Sequence, residues 1–354
     1  MQFSEAEQRA MRRALELAAT PGVPLGPNPR VGCVLLDADG NAVAEGYHRG
    51  AGTAHAEAAA LAEAGNAARG ATAVVTLEPC NHTGRTGPCA QALVEAGVAR
   101  VVFAQPDRNP VAAGGERTLL EAGIEVGYGL HEREARQLNR AWTFAMEHGR
   151  PFVTWKLATT LDGRSAASDG TSRWITSRAA RVDSHRLRAQ CDVVLVGTAT
   201  VQIDDPELTV RDEYDDPLPS QPMRAVMGLR ELDPSLRAFN GAAETVHLRT
   251  RDPKEALELL RARDRQHVFL EGGPRLAASF LAAGLVDEVV AYLAPALLGS
   301  GANAVGDLGI STIQGALRLR LQDVATIGNG EDANVRLTMT PARTRPGASQ
   351  EERI

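Results

Sequence analysis

A chain of 354 residues with 44% hydrophobic and 23% charged residues has the profile of an ordinary soluble globular protein, long enough for two compact domains, and is not disordered or fibrous. Its 38 Lys and Arg against 44 Asp and Glu give a net charge of −6 with no long basic run, which disfavours a general electrostatic nucleic-acid binder. No apolar stretch approaches the ~18 residues of a spanning helix, Met1 to Arg13 is charged throughout, and four cysteines are too few for a disulfide scaffold, so a cytoplasmic protein is expected.

Ser4 with Glu7 forms a capping-box pattern, and Met11, Leu15 and Ala18 follow at helical spacing, so a helix is predicted over Ser4 to Ala19, stopped by Pro21, Gly22 and Pro24. Short strands over Val31 to Leu36 and Val43 to Glu45 flank the turn dipeptide Asp39-Gly40, and a helix over His55 to Ala64 follows. The segments Ala73 to Leu77, Val101 to Ala104 and Ile124 to Val126 read as strands, Gly87 to Ala96 and Glu116 to Glu121 as helical. Helical periodicity then runs from His131 to Glu147 and stops at Gly149-Arg150-Pro151, where a domain boundary is expected.

The pattern restarts beyond that stop. Strands are predicted over Phe152 to Leu157, Val193 to Gly197, Arg224 to Met227, Thr245 to Leu248, His267 to Glu271 and Glu288 to Leu293. Helices are predicted over Ser177 to Ala189, Pro253 to Arg263 and Pro274 to Ala283. This alternation argues an α/β protein with domains over 1–149 and 150–340, and the polar stretch 341–354 is expected to be a disordered tail.

The densest chemistry in the first half is His55-Ala56-Glu57, then Pro79-Cys80, then Pro88-Cys89. One imidazole and two thiolates offer three zinc ligands and leave the fourth tetrahedral position for water, as a catalytic site requires. Two residues after His55, Glu57 can sit beside the metal without ligating it, where a carboxylate can move protons between water and a leaving amine. A structural zinc knot is the other reading, with His82 as a fourth protein ligand.

This arrangement resembles the H-x-E and P-C-x-x-C signature of zinc deaminases, except that Cys80 and Cys89 enclose eight residues. The lengthened loop Asn81-His82-Thr83-Gly84-Arg85-Thr86-Gly87-Pro88, with the early Asn28-Pro29-Arg30-Val31-Gly32-Cys33-Val34, resembles the deaminase half of the bifunctional riboflavin-biosynthesis deaminase/reductase family. The resemblance implies that Asn28, His48, His82, Arg85, Asp107 and Asn109 surround the pyrimidine and ribose phosphate, with Arg85 as a phosphate partner. Taken singly, Asp107 and Asn109 fit an ordinary turn, Arg85 a solvated charge and His48 a structural histidine.

In the second half, Gly272-Gly273-Pro274 between a strand and a helix is either a tight turn or a phosphate-approaching loop, and it is not a G-x-G-x-x-G fingerprint. Seven further motifs, in order, resemble the reductase half of the same family: Lys156-Leu157-Ala158, Leu161-Asp162-Gly163-Arg164, Gly170-Thr171-Ser172-Arg173-Trp174-Ile175, Arg188-Ala189-Gln190, Gly197-Thr198-Ala199-Thr200-Val201, Asp204-Asp205-Pro206 and Leu208-Thr209-Val210-Arg211. The resemblance spans about residues 1 to 340. It implies a cytidine-deaminase-like α/β/α domain followed by a dihydrofolate-reductase-like α/β domain that uses NADPH. It places Ala158, Trp174, Thr200, Asp204, Gly273, Pro274, Arg275, Leu276, Ala277, Ala278 and Ser279 at the cofactor, and Lys156, Ser172, Arg188, Leu208, Arg211 and Glu271 at the substrate. Alone, Arg188 reads as a helix-surface charge and Asp204-Asp205-Pro206 as a turn, and Met227-Gly228-Leu229 stands where relatives often carry an Asp-Ser pair.

The implied activity is zinc-dependent hydrolytic deamination of 2,5-diamino-6-ribosylamino-4(3H)-pyrimidinone 5′-phosphate, then NADPH-dependent reduction of the ribosyl side chain to ribityl. The expected partners are this small molecule and further copies of the chain in a dimer or tetramer, with neither nucleic acid nor membrane. The rival readings are a nucleoside or RNA deaminase with an unrelated second domain, against which the lack of basic and aromatic clustering argues, and a non-catalytic nucleotide-binding regulator, against which Glu57 argues.

Overall fold

The computed structural model describes residues 2–23, 26–82 and 87–342, and the chain divides into two compact units, Met1–Arg150 and Pro151–Ile354.

The first unit opens with α1 (Glu5–Ala18), whose N-cap Ser4 accepts from the Glu7 amide while the Glu7 carboxylate takes the Ser4 amide, the reciprocal capping that the sequence pattern implies. Strands β1 (Gly32–Leu36), β2 (Ala42–Tyr47), β3 (Thr72–Leu77), β4 (Arg100–Gln105) and β5 (Glu125–Tyr128) form one sheet in the order β2-β1-β3-β4-β5. Strand β1 runs antiparallel to β2 and β3, while β3, β4 and β5 are parallel.

Alternation along the strands divides the core in two. On one face Ala73, Val75, Val101 and Phe103 pack with residues of α2 (Ala56–Ala64), α3 (Cys89–Ala96) and α4 (Gly115–Glu121). On the other, Val34, Val74 and Val102 pack with Met11 and Ala14 of α1 and Ala135 of α5 (Glu132–Leu138). The layers are therefore α/β/α.

The single helix expected over His131 to Glu147 is two helices, α5 and α6 (Arg140–His148), broken at Asn139. The Asn139 side chain accepts the Arg30 amide and donates to the Arg30 carbonyl, both at 2.8 Å, so this buried Asn makes a tertiary backbone pairing at the break between the two helices. Helical spacing alone does not reveal such a partner 109 residues away.

The second unit is built on an eight-stranded sheet. Its strands are β6 (Phe152–Thr160), β8 (Val193–Gly197), β9 (Met223–Met227), β10 (Thr245–Leu248), β11 (His267–Leu270), β12 (Glu288–Ala294), β14 (Leu319–Ile327) and β15 (Asn334–Pro341), in the order β10-β9-β8-β11-β6-β12-β15-β14. The first six in that order are mutually parallel, and β15 and β14 add an antiparallel edge. Near-continuous burial of β8, β9 and β11 is what helix-covered parallel strands require. Residues of α9 (Pro253–Arg261) and α10 (Pro274–Ala282) join the core on one face, and Val201 of α8 (Thr198–Asp204) and Ala180 of α7 (Arg178–Arg188) lie in clusters on the other.

A small antiparallel pair joins β7 (Arg164–Ala166) to β13 (Ala302–Asn303). Strand β15 continues through Pro341, so the expected tail does not begin there, and residues 343–354 lie outside the described residues. Among the described residues no helix is long and apolar enough to cross a membrane.

Candidate functional site

In the first unit, three element ends meet beyond the carboxyl end of β3. His55 is the N-cap of α2, Cys80 follows β3, and Cys89 is the first residue of α3. Two close backbone approaches hold these ends in place. A Cβ on Gly46 would lie 2.3 Å from the Ala56 carbonyl at the start of α2, and one on Gly115 would lie 1.8 Å from the Pro79 carbonyl.

His55 Nδ1 lies 3.2 Å from Cys89 Sγ and 3.5 Å from Cys80 Sγ, and one ligand atom from each residue falls within a 4.8 Å group. Tetrahedral zinc with Zn–S of about 2.3 Å and Zn–N of about 2.0 Å separates its nitrogen and sulfur ligands by roughly 3.5 Å. The donor set therefore fits zinc as it stands. The Cys80 thiol is drawn down to about 4 by hydrogen bonding with Cys89 and by His55, against the opposing effect of burial, which favours the metal-binding thiolate. Glu57 is 3% exposed, and burial together with the neighbouring Cys80 charge raises its carboxyl to about 7.

Around this centre, His48 Nδ1 donates to the Ala54 carbonyl at 3.1 Å, so Nε2 accepts from Asn28 Nδ2 at 2.9 Å. The His48 ring stands edge-on to His55, with centroids 5.4 Å apart. Asp107 is buried, which with the Glu78 and Cys80 charges raises its carboxyl to about 7, and it accepts the Asn109 amide at 2.7 Å. His82 Nδ1 is buried without a partner among the described residues, whereas Arg85 lies outside them.

Sequence reasoning missed Glu78. Its carboxylate takes the amides of Asp107, Gly114 and Glu116 and so fixes the loop carrying Asp107 and Asn109. An acidic residue directly before Pro79-Cys80 was the available signal.

In the second unit, Lys156 on β6, Arg188 at the end of α7 and Glu271 just after β11 come together. Arg188 Nη2 donates to Glu271 Oε2 at 2.6 Å, and the Arg188 and Lys156 charges hold the Glu271 carboxyl below its usual range against burial. Burial in turn lowers Lys156, whose ammonium lies 5.9 Å from the Tyr292 ring centre. Arg211 donates to the Glu207 carboxylate and, at 2.6 Å, to the Asp215 carbonyl. Leu208 has a left-handed φ of 58°, an uncommon conformation for a γ-branched residue, at the entry to this segment. Ser172 is exposed and its carbonyl accepts the Ile175 amide.

Of the residues expected at the cofactor, Ala158 lies on β6, Thr200 on α8, and Trp174 is 68% exposed with the Arg181 guanidinium 4.3 Å from its ring centre. The Asp204 carbonyl accepts from Arg173 at 2.7 Å. Gly273 caps α10 with open space in front of its α-carbon, and a cavity of about 570 Å³ is lined by Pro274, Arg275, Ala278 and Ser279 with Asn303, Val305, Gly306 and Asp307. Leu276 and Ala277 instead pack into the core, because their positions on α10 face the sheet. At the Met227-Gly228-Leu229 departure, Gly228 has φ 141° and a Cβ there would lie 2.8 Å from Thr198 Oγ1, so tight packing on α8 accounts for the glycine.

The fold and the two sites define the class: a zinc-type deaminase unit followed by an α/β reductase unit. Residues 4–105 match the cytidine and deoxycytidylate deaminase zinc-binding region, and residues 151–331 match the RibD C-terminal domain. The riboflavin biosynthesis protein RibD of Mycobacterium tuberculosis is 48% identical over 303 residues, 85% of this chain and 89% of its own. That of Escherichia coli is 42% identical, covering 90% and 96%. Among solved structures, Acinetobacter baumannii RibD has a TM-score of 0.87 at 38% identity over 96% of this chain and 99% of its own. A Thermotoga maritima diaminohydroxyphosphoribosylaminopyrimidine deaminase/5-amino-6-(5-phosphoribosylamino)uracil reductase has a TM-score of 0.85 at 31% identity over 95% and 99%. The chain belongs to the RibD family of bifunctional riboflavin-biosynthesis enzymes, with one deaminase and one reductase domain.

Proposed function

We propose that the first unit deaminates 2,5-diamino-6-ribosylamino-4(3H)-pyrimidinone 5′-phosphate and that the second reduces the ribosyl chain of the product to ribityl with NADPH. The observation that carries the reading is the convergence of His55, Cys80 and Cys89 beside a buried Glu57 that stands outside that ligand group. His55, Cys80 and Cys89 hold zinc, which supplies the Lewis acidity that makes water a nucleophile near neutral pH. Glu57 takes the proton of the attacking water and returns it to the departing amine. Asn28, His48, His82, Asp107 and Asn109 orient the pyrimidine and its sugar phosphate, with Arg85, outside the described residues, as a cationic partner of the phosphate.

In the second unit, NADPH supplies hydride, and the chain contributes position. Ala158, Trp174, Thr200, Asp204 and the Gly273–Ser279 turn hold the dinucleotide, the turn through its backbone and the Pro274, Arg275, Ala278 and Ser279 side of α10. Ser172, Arg188, Leu208 and Arg211 hold the sugar phosphate. The unpartnered Glu271 Oε1 accepts from a sugar hydroxyl or ring N–H, with Lys156 beside the reacting carbon. Purified protein incubated with the pyrimidine substrate should release ammonia without NADPH and oxidise NADPH only after deamination. Absence of either signal in zinc-replete protein overturns the corresponding half.

A further inference from the structure

One titratable side chain in the second unit has no role in the reading above. His185 lies one helical turn before Arg188 on α7, so the two share a face. Its Nδ1 accepts the backbone N–H of Arg211 at 3.1 Å. A ring nitrogen that accepts an N–H carries a lone pair, so the proton of the neutral ring sits on Nε2. Protonation of Nδ1 would set N–H against N–H and add a cation beside two arginines. The electrostatics agree. Burial and the Arg188 and Arg211 charges lower His185 to about 4, with Glu271 and Asp215 opposing them.

Nε2–H is thus a donor fixed in its tautomer, with no partner among the described residues, and it is not among the sealed buried atoms. The neighbouring cations are already engaged, Arg188 by Glu271 and Arg211 by Glu207. A neutral N–H adds a hydrogen bond for an anion without adding a charge that those carboxylates would capture.

We propose that His185 contacts the substrate of the reductase unit, its Nε2–H donating to the phosphate of the ribosyl phosphate between Arg188 and Arg211. The inference rests on the substrate pocket assigned above. Nδ1 tethers the backbone of the residue that supplies the guanidinium, so the two phosphate donors are held in a common register.

Full-length wild type, His185→Asn, His185→Gln and Arg211→Ala are compared for inhibition of the reductase by ribose 5-phosphate and by ribose, alongside NADPH affinity by fluorescence. Asn keeps an acceptor near the Nδ1 position and removes the donor at Nε2, whereas Gln places a donor near Nε2. The expected result for His185→Asn is ~10-fold weaker ribose 5-phosphate, about 1.4 kcal/mol, with ribose and NADPH unchanged and partial recovery in His185→Gln.

Equal weakening of ribose and ribose 5-phosphate overturns the phosphate contact. Wild-type affinity for ribose 5-phosphate in His185→Asn, together with a loss in Arg211→Ala, leaves the pocket standing and reduces His185 to a tether. No loss in Arg211→Ala overturns the pocket itself. Nitrogen-15 NMR of histidine-labelled wild type needs no variant: an Nε2–H tautomer whose Nε2 signal moves with ribose 5-phosphate and not with ribose supports the contact, and an Nδ1–H tautomer or an unmoved signal overturns it.

Discussion

Arg188 and Glu271, 83 residues apart, form an ion pair at 2.6 Å with side chains only 13% and 10% exposed, and each keeps one buried polar atom unpartnered, Nε and Oε1 respectively. Unmet buried hydrogen-bonding capacity costs stability, and a pocket that awaits a polar ligand is a setting in which it persists. In the substrate pocket proposed for the reductase unit, the pair would supply polarity before any substrate arrives.

The metal centre is tested by stoichiometry. Purified protein should carry one zinc per chain, and the double variant Cys80→Ser, Cys89→Ser should lose it, because the three ligand atoms are already grouped within 4.8 Å. Less than half an equivalent in undamaged protein, or full retention in the double variant, contradicts the assignment.

Glu57→Gln separates proton transfer from metal binding. Zinc content and the reductase should be preserved, while deamination should fall at least ~10²-fold, the usual scale of general acid–base catalysis. Normal deamination by the variant would exclude the proton-transfer role.

Arg211→Ala and Gly273→Asp should fall into two kinetic groups. Loss of a charge-assisted phosphate contact, roughly 1.5–3 kcal/mol, should raise the substrate KM some 10- to 100-fold and leave NADPH affinity nearly unchanged. An acidic side chain at the open N-terminus of α10 should weaken NADPH and spare the substrate. Deamination belongs to the other unit and should survive both changes. Equal losses of both ligands in both variants would mean the pocket is misassigned.

Arg224 tests the packing of the second unit. It is fully buried on β9, and its guanidinium donates to the Glu207, Asn240 and Ala243 carbonyls and to Asn240 Oδ1. Arg224→Ala strands these acceptors and should destabilise the unit by about 3 kcal/mol, read as a lower urea midpoint for loss of reductase with the zinc content intact. An unfolding free energy within ~0.5 kcal/mol of wild type would show that water replaces the guanidinium without loss.

His185 predicts a pH dependence with a definite sign. Its folded value is about 4 against an ordinary 6.5, so between those limits the unfolded chain binds a proton that the folded chain does not. The stability this group contributes is present at pH 7 and is lost as pH falls from 6.5 towards 4. Solvent screening of this half-buried ring limits the loss to about 1 kcal/mol. Urea denaturation at pH 7 and pH 5 should show a smaller pH-dependent loss in His185→Asn than in wild type, and identical losses would refute the shift.

Chain-local signals were enough for much of this molecule. The Ser4–Glu7 capping box, the Gly149 stop, the buried parallel strands and the His55, Cys80 and Cys89 motif each depend on residues close in sequence or on side-chain chemistry that admits few alternatives. Tertiary structure decided what depends on distant partners. Asn139 splits a periodic helix because Arg30 offers it a backbone to pair with, Glu78 becomes the anchor of the 107–116 loop, and β15 pairs along the edge of β12 while β14 pairs along β15. Local spacing leaves Arg188 reading as a surface charge and His185 as a residue without a role. Only the folded chain brings Glu271 to the first and the Arg211 amide to the second, because hydrogen bonds and desolvation act through space, whereas periodicity reports only a residue's near neighbours along the chain.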